Sequence, residues 1–335
     1  RRQRQMCIRD SCWDLQGKKM LNMDSEEEGI FLVSCAGGAT ATITLPVMQR
    51  IHKKDKQYGI HIRGLQGGHS GTEIDKGLAN ASVVLGRVLA ALQEKAQIQL
   101  ICIQGGKKDN AIPREAEAFF TSSEREETLR QTAEEIQEMI QSEYRETEPQ
   151  MEFVWSQEEG DCRVMSEEDT KKVITLLRIL PAGVQKMSRE IEGLVQTSLN
   201  LGVLESKEDG VSFCFSVRSS VESEKQELLN RLELTAQAVG ASVVVEGAYP
   251  AWEYREDSPV REAMLQSYRE QYGREPVVQA IHAGVECGLF AGKIDGLDCV
   301  SFGPDMQDIH TTRECMDVAS VQRTWELLLR VLQKL

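Results

Sequence analysis

Tyr58-Gly59-Ile60-His61-Ile62-Arg63-Gly64-Leu65-Gln66-Gly67-Gly68-His69-Ser70-Gly71 opens the stretch whose reading decides the fold. Residues 58–63 read as a strand, and the glycines that follow break the period and predict a loop. A helical period over 79–93, a strand over 98–104 and the turn Gly105-Gly106-Lys107-Lys108-Asp109-Asn110 come next. A strand of alternating Ala, Glu and Phe over 114–122, an acidic helix over 124–142 and a strand over 150–156 complete the run. The order β-α-β-β-α-β is the ferredoxin-like pattern of an α/β sandwich.

Downstream, a helix over 168–180 precedes Ser198-Leu199-Asn200-Leu201-Gly202-Val203-Leu204. A strand over 210–218, a helix over 222–239 and a strand over 242–246 then echo the earlier set, a weak sign of an internal repeat. Upstream, the apolar run 20–23 ends on Asp24, and a strand over 30–34 enters Gly37-Gly38 and the β-rich 39–45, which Pro46 interrupts. The pattern changes again at Trp252: helix 259–272, strand 277–280, strand 298–302, loop 303–312 and an amphipathic helix 318–335. Strands alternating with helices in this way predict a mixed, mostly parallel sheet between helices. The two chain ends would form that domain (12–38 and 251–335), with 39–250 inserted as a lid. Both junctions, near Gly38 and near Trp252, are expected to be solvent-accessible hinges.

The 335 residues, 41% hydrophobic, suffice for about two domains. A formal charge of -14 repels phosphate backbones and anionic lipid, so nucleic-acid and membrane-surface roles are excluded as expectations. The apolar run 79–92 is broken by Asn80, Ser82, Gly86 and Arg87, so no segment resembles a bilayer-spanning helix. Nine cysteines stand singly without a CxxC pair, which fits reduced thiols in a cytoplasm. Cys102 and Cys214 lie in apolar runs and read as small core hydrophobes. Residues 1–11 have neither a signal-peptide core nor any period; they read as an adapter-derived, non-native tail or as a disordered basic one.

Several polar residues sit where chemistry is done. Asp24 ends an apolar strand, the place from which open α/β sheets present ligands to a crevice, although strands also end on ordinary turn aspartates. Glu26, Glu27 and Glu28 after it read as a solvated acidic turn. His310 follows another apolar strand; imidazole is a common zinc ligand and Asp308 could orient it, but one His and one Asp do not make a site. His69 stands on a glycine-rich turn, as an oxyanion donor or as a satisfied loop histidine. Asn110 and Arg218 end strands, with structural or carboxylate-binding roles both open.

Taken together, Leu21-Asn22-Met23-Asp24-Ser25-Glu26-Glu27-Glu28-Gly29 with Cys35-Ala36-Gly37-Gly38, the 64–71 loop, Asn110-Ala111-Ile112-Pro113-Arg114-Glu115-Ala116, His282-Ala283-Gly284-Val285-Glu286-Cys287-Gly288, and Ser301-Phe302-Gly303-Pro304 through His310 resemble the aminoacyl-histidine (Xaa-His, carnosinase-like) dipeptidases. The resemblance extends in order from Trp13 to Leu335. It implies a two-zinc metallopeptidase, with zinc or another divalent metal, a catalytic domain interrupted by a lid, and a homodimer formed through the lid. It implies Asp24 and His310 as terminal ligands of different metal ions and His69 as donor to the substrate carbonyl, within one chain or across a dimer. Asn110, Arg218 and the backbone at Gly284 would hold the carboxylate end of a dipeptide. The family's His-x-Asp, bridging Asp and Glu-Glu pair belong upstream of the strand ending in Asp24, so this chain is expected to be a fragment, inactive and weak in zinc binding. The 308–312 stretch also departs from the family's His-Ser-Pro. An N-acyl-amino-acid deacylase of the same zinc class and a catalytically incomplete binding or dimerisation module are the alternatives.

Overall fold

The computed structural model describes residues 15–309 and 311–335. The expected tail at 1–11 and the candidate ligand His310 lie outside the described residues. In chain order the elements begin with β1 (Lys19–Asn22), β2 (Ile30–Cys35), β3 (Gly37–Pro46), β4 (Gln49–Arg63), the two-residue β5 (Gly68–His69) and α1 (Ala81–Lys95). They continue with β6 (Ile98–Gly105), β7 (Ala111–Ile112), β8 (Ala116–Ser122), α2 (Glu126–Glu143), β9 (Glu152–Met165), α3 (Glu167–Ile179) and β10 (Gly183–Met187). β11 (Val195–Lys207), β12 (Gly210–Ser219), α4 (Glu222–Ala238) and β13 (Ser242–Tyr249) follow. The last are α5 (Pro259–Tyr272), β14 (Val277–Ile281), α6 (Glu286–Ala291), β15 (Asp298–Ser301), β16 (Met306–Gln307), β17 (Cys315–Met316) and α7 (Val318–Leu332).

Two sheets organise these elements. The larger has nine strands in the order β13-β3-β12-β11-β6-β8-β4-β9, with β10 on β11. The smaller has four, β1-β15-β2-β14, drawn from both chain ends. β3 shows why the large sheet forms: Ala39, Ala41, Ile43 and Leu45 are buried while Thr40, Thr42 and Thr44 between them are half-buried, the period-two signature of a strand with one core face. α1 is buried along Val84, Leu85, Val88, Leu89 and Leu92, and packs on α2 and α3. Asn80 starts it by accepting from the amides of Ser82 and Val83, a cap that contributes about 1 kcal/mol.

In the small sheet β1 runs parallel to β15 and β14 parallel to β2, while β2 meets β15 antiparallel at Leu32 and Ser301. Chain direction therefore differs between its halves: β1 and β15 run out at the Ile30 end, β2 and β14 at the Cys35 end. Phe31, Tyr268, Val300, Phe302, Leu327 and Val331 form its core with α5 and α7.

Four expectations need correction. The junctions are not open hinges: Ala36 is fully buried, Trp252 is 4% exposed, and the backbones of Cys35 and Trp252 exchange two hydrogen bonds. Apolar packing of Cys35, Trp252, Cys287 and Cys299 seals that seam. β4 begins at Gln49 and β9 reaches Met165, because two polar strands pair along their length where no apolar period marks them. Glu28 is not solvated: Arg323 grips its carboxylate through Nε (2.8 Å) and Nη2 (2.6 Å), Tyr272 donates to it, and Arg323 holds its pKa below the usual carboxylate range. Among the cysteines, Cys35, Cys287 and Cys299 are buried, whereas Cys102 and Cys214 are only half-buried. Burial pushes the Cys35 thiol up to about 11. No helix among the described residues is long and apolar enough to cross a membrane.

Candidate active site

The glycine-rich loop places His69 by pinning its backbone. Gly64 and Gly67 take left-handed φ values of 79° and 64°, which admit glycine without strain. The buried carboxylate of Glu148 then accepts from the amides of Gln66 (2.7 Å) and Ala79 (2.9 Å), fixing both ends of the loop. His69 pairs with Ala111 in the short β5–β7 ladder, and the Ser70 amide donates to the Asn110 carbonyl at 3.0 Å. Asn200 holds the other strand of this ladder from β11, donating to the carbonyls of Asp109 and Ala111.

The His69 ring is half-buried, and Nδ1 accepts from the amides of Gly71 (3.2 Å) and Thr72 (3.1 Å). Burial and then the Arg218 charge lower its pKa, with Glu73 opposing. The ring is therefore neutral at pH 7, and two donors on Nδ1 leave its proton on Nε2. That is the tautomer an oxyanion donor needs.

Arg218 lies on β12 between Gly38 of β3 and Ser198 of β11. It is 8% exposed. Its Nη1 donates to the Tyr249 hydroxyl at 3.1 Å, its Nε has no partner, and no carboxylate pairs with it among the described residues. A buried cation left without a counter-ion is costly, so such an arrangement invites an anion. The Tyr249 ring fits only because two glycines face it: a Cβ at Gly38 would come 2.5 Å from its hydroxyl, and one at Gly284 would come 2.7 Å from its Cε2. Burial raises the Tyr249 pKa, against the Arg218 charge, so the phenol stays protonated. Beside it His282 is 6% exposed, with Nε2 2.7 Å from Ser198 Oγ. Burial, then Arg218, lowers the His282 pKa to about 4, against a hydrogen bond to the Val195 backbone.

Asp24 stands apart. It follows β1 at the Ile30 end of the small sheet and is exposed, as are Glu26 and Glu27. Ser25 anchors the segment to β15, its amide donating to the Phe302 carbonyl and its hydroxyl meeting Ser301 Oγ at 2.8 Å. A cleft of ≈ 470 Å³ opens alongside, lined by Glu26, Glu27, Asp305, Met306, Gln307 and Cys315 among others. Asp308 takes a left-handed φ of 51°, and its carboxylate is 3.9 Å from Arg313. Among the described residues no group of three or more His, Cys, Asp or Glu side chains is placed to hold a metal ion. The described residues do not by themselves fit a two-metal centre.

The structure thus gathers His69, Asn110, Arg218 and Gly284 at the Cys35 end of the small sheet and puts Asp24 at the other. Three residues of the cluster escaped the sequence reading. Ser198 and Tyr249 carry no motif, and only the tertiary fold brings them to Arg218. His282 stood in plain view beside Gly284, in a motif read for its glycine.

Comparison with known proteins agrees with this architecture. A model of the peptidase dimerisation domain family matches residues 60–148. The chain is 33% identical over 323 residues to the cytosol non-specific dipeptidase of Escherichia coli (strain K12), covering 96% of this chain and 67% of that protein. The crystal structure of the aminoacylhistidine dipeptidase from Vibrio alginolyticus superposes with a TM-score of 0.89 at 34% identity, over 96% of this chain and 66% of the other. About two thirds of each relative's length is therefore represented. With one fold along nearly all of its length and identity at this level, the chain belongs to the aminoacyl-histidine and cytosol non-specific dipeptidase family of metallopeptidases, hydrolases of peptide bonds.

Proposed function

We propose that this chain belongs to a cytoplasmic zinc dipeptidase, in which the Arg218 cluster holds the C-terminal carboxylate of a dipeptide of the Xaa-His type. The observation that carries this reading is the buried Arg218 guanidinium with a vacant Nε and no carboxylate partner among the described residues. A planar guanidinium binds a carboxylate through two parallel hydrogen bonds, which selects short peptides with a free C-terminus. Asn110 and the Gly284 backbone complete that end. The neutral His69 then offers Nε2–H to the carbonyl oxygen as it gains charge. Residues 12–38 and 251–335 would be the catalytic unit and 39–250 the lid, through which two copies associate.

Asp24 and His310 are the ligands this stretch would contribute, one to each of two ions. Bound divalent ions in such enzymes activate water and polarise the scissile carbonyl. Because the described residues form no ligand set, the residues named here are assigned only binding, orientation and donation to the carbonyl oxygen.

The test is calorimetric titration of the 335-residue chain with Gly-His and with its C-terminal amide. Gly-His should bind and the amide should not. Arg218→Ala should weaken Gly-His by about a hundredfold, and Arg218→Lys by less, in keeping with loss of a charge-assisted pair. Equal binding of acid and amide would overturn the reading.

A further inference from the structure

Resting on that reading, we propose that His282 is a positioning residue, a latch that ties the small sheet to the strand beneath Arg218 and so sets the carboxylate clamp. Three contacts converge on it. Its Nε2 meets Ser198 Oγ at 2.7 Å, both groups being buried, and Ser198 is the direct register neighbour of Arg218 across β11 and β12. Its own residue continues β14, whose Ile281 carbonyl accepts from the Ala36 amide at 3.1 Å just before β3 begins. Its carbonyl lies so close to the His69 turn that a Cβ on Gly71 would come within 2.6 Å of it. One side chain and its backbone thereby touch the small sheet, the Arg218 strand pair and the His69 turn.

The chemistry suits a latch. Between the strands carrying Ser198 and Arg218 the ladder fixes the backbones, but among the described residues the guanidinium itself is held by the Tyr249 hydroxyl alone, with Nε left open. The Ser198–His282 pair crosses from the large sheet to the small one, and a neutral imidazole can sit next to Arg218 without adding a second buried cation. With the pair broken, the β14 end keeps its backbone pairing with β2 but loses its side-chain tie to Ser198 beside Arg218. Arg218 and His69 then lose their common support, while the substrate-touching atoms themselves remain.

Geometry supplies a discriminating experiment. The amide of a glutamine reaches about as far along the side chain as Nε2 of histidine, whereas that of asparagine reaches only as far as Nδ1. In calorimetric titration of the whole chain with Gly-His, His282→Ala and His282→Asn should each weaken binding about tenfold, and His282→Gln should recover most of it. Ser198→Ala, a milder change in a strand interior, should match His282→Ala, and the double variant should be no worse than either single one. Circular dichroism checks that each variant is folded; if His282→Ala is not, the Gln/Asn contrast and Ser198→Ala decide alone. Equal affinities for the Gln and Asn variants, or additive losses in the Ser198/His282 cycle, would overturn the latch. Wild-type affinity in Ser198→Ala while Arg218→Ala loses Gly-His would overturn the latch and leave the clamp standing. Wild-type affinity in Arg218→Ala would overturn the clamp, and the latch with it.

Discussion

At the Cys35 end of the small sheet, Ser198, Arg218 and His282 are buried where the two sheets meet, with His69 half-buried and Asn110 exposed at the rim; at the Ile30 end, Asp24, Glu26 and Glu27 stand in solvent. The first end carries a cation without a counter-ion among the described residues, with its Nε unpaired there, and two neutral imidazoles. The second carries carboxylates that gather no further ligands among the described residues. The difference teaches where this stretch of chain is preorganised. On the proposed reading the carboxylate clamp draws on residues between 38 and 284, whereas a metal centre at Asp24 would require partners beyond the described residues.

If the Cys35 end is truly desolvated, pH should reveal it with the largest effect on stability. The folded pKa of His282 is lowered from 6.5 to about 4, so between those values the unfolded chain takes up a proton that the folded chain refuses. Stability from this group is complete above pH 6.5, falls as pH drops through the window and levels off below about 4. The size is about 3 kcal/mol if the whole shift is realised. His69, also lowered, acts in the same direction. Urea unfolding at pH 7.5 and at pH 4.5 should show the loss, and His282→Gln should remove much of it. Carboxylates such as Glu224 lose their pairing at still lower pH, and the comparison between wild type and variant cancels them. The same pH slope in both proteins would mean that His282 is hydrated and that the contrast between the two ends is false.

A smaller effect should come from the packing around Tyr249. Gly284→Ala puts a methyl 2.7 Å from the ring carbon, and the ring has Gly38 on its other side, so it must shift and carry its hydroxyl away from Arg218. Overpacking of this kind costs about 1–3 kcal/mol. Gly160→Ala in the polar strand β9 is the control, since its nearest neighbour is the end of a glutamine side chain at 3.5 Å. Thermal unfolding of both variants should separate them; equal midpoints would show that Tyr249 has room to move.

How much of this was legible in the sequence follows from range. The α1 helix and the strands β2, β3 and β12 announce themselves through local apolar period, as do the glycines that shape the His69 turn. The polar halves of β4 and β9 do not, since each is specified by the other strand and not by its own pattern. The same holds in the site. His69, Asn110 and Gly284 could be named because they sit in recognisable motifs, and Arg218 because it ends a strand. Ser198 and Tyr249 could not, because their significance is a contact made across many residues of chain. Glu28 misled for the converse reason: an acidic run looks solvated until Arg323, near the other end of the chain, closes on it.

The smallest effect is expected at Asp24, and it bears most directly on the comparison. Its side chain is exposed and belongs to no cluster of three or more ligating groups among the described residues, so it shares neither burial nor a ligand set with anything around it. A surface residue of that kind contributes within about 0.5 kcal/mol to stability, so Asp24→Asn should leave the thermal midpoint almost unmoved. Tight zinc binding needs three or four protein ligands around each ion, and one carboxylate competes poorly with water. Stoichiometric zinc should therefore leave the midpoints of the wild-type chain and of Asp24→Asn equally unchanged, and dialysis against a chelator should remove any metal from both. A zinc-dependent rise in the wild-type midpoint that Asp24→Asn abolishes would show that the Ile30 end, with His310, already forms a ligand set. Both ends of the small sheet would then be preorganised, and the distinction between them would fall.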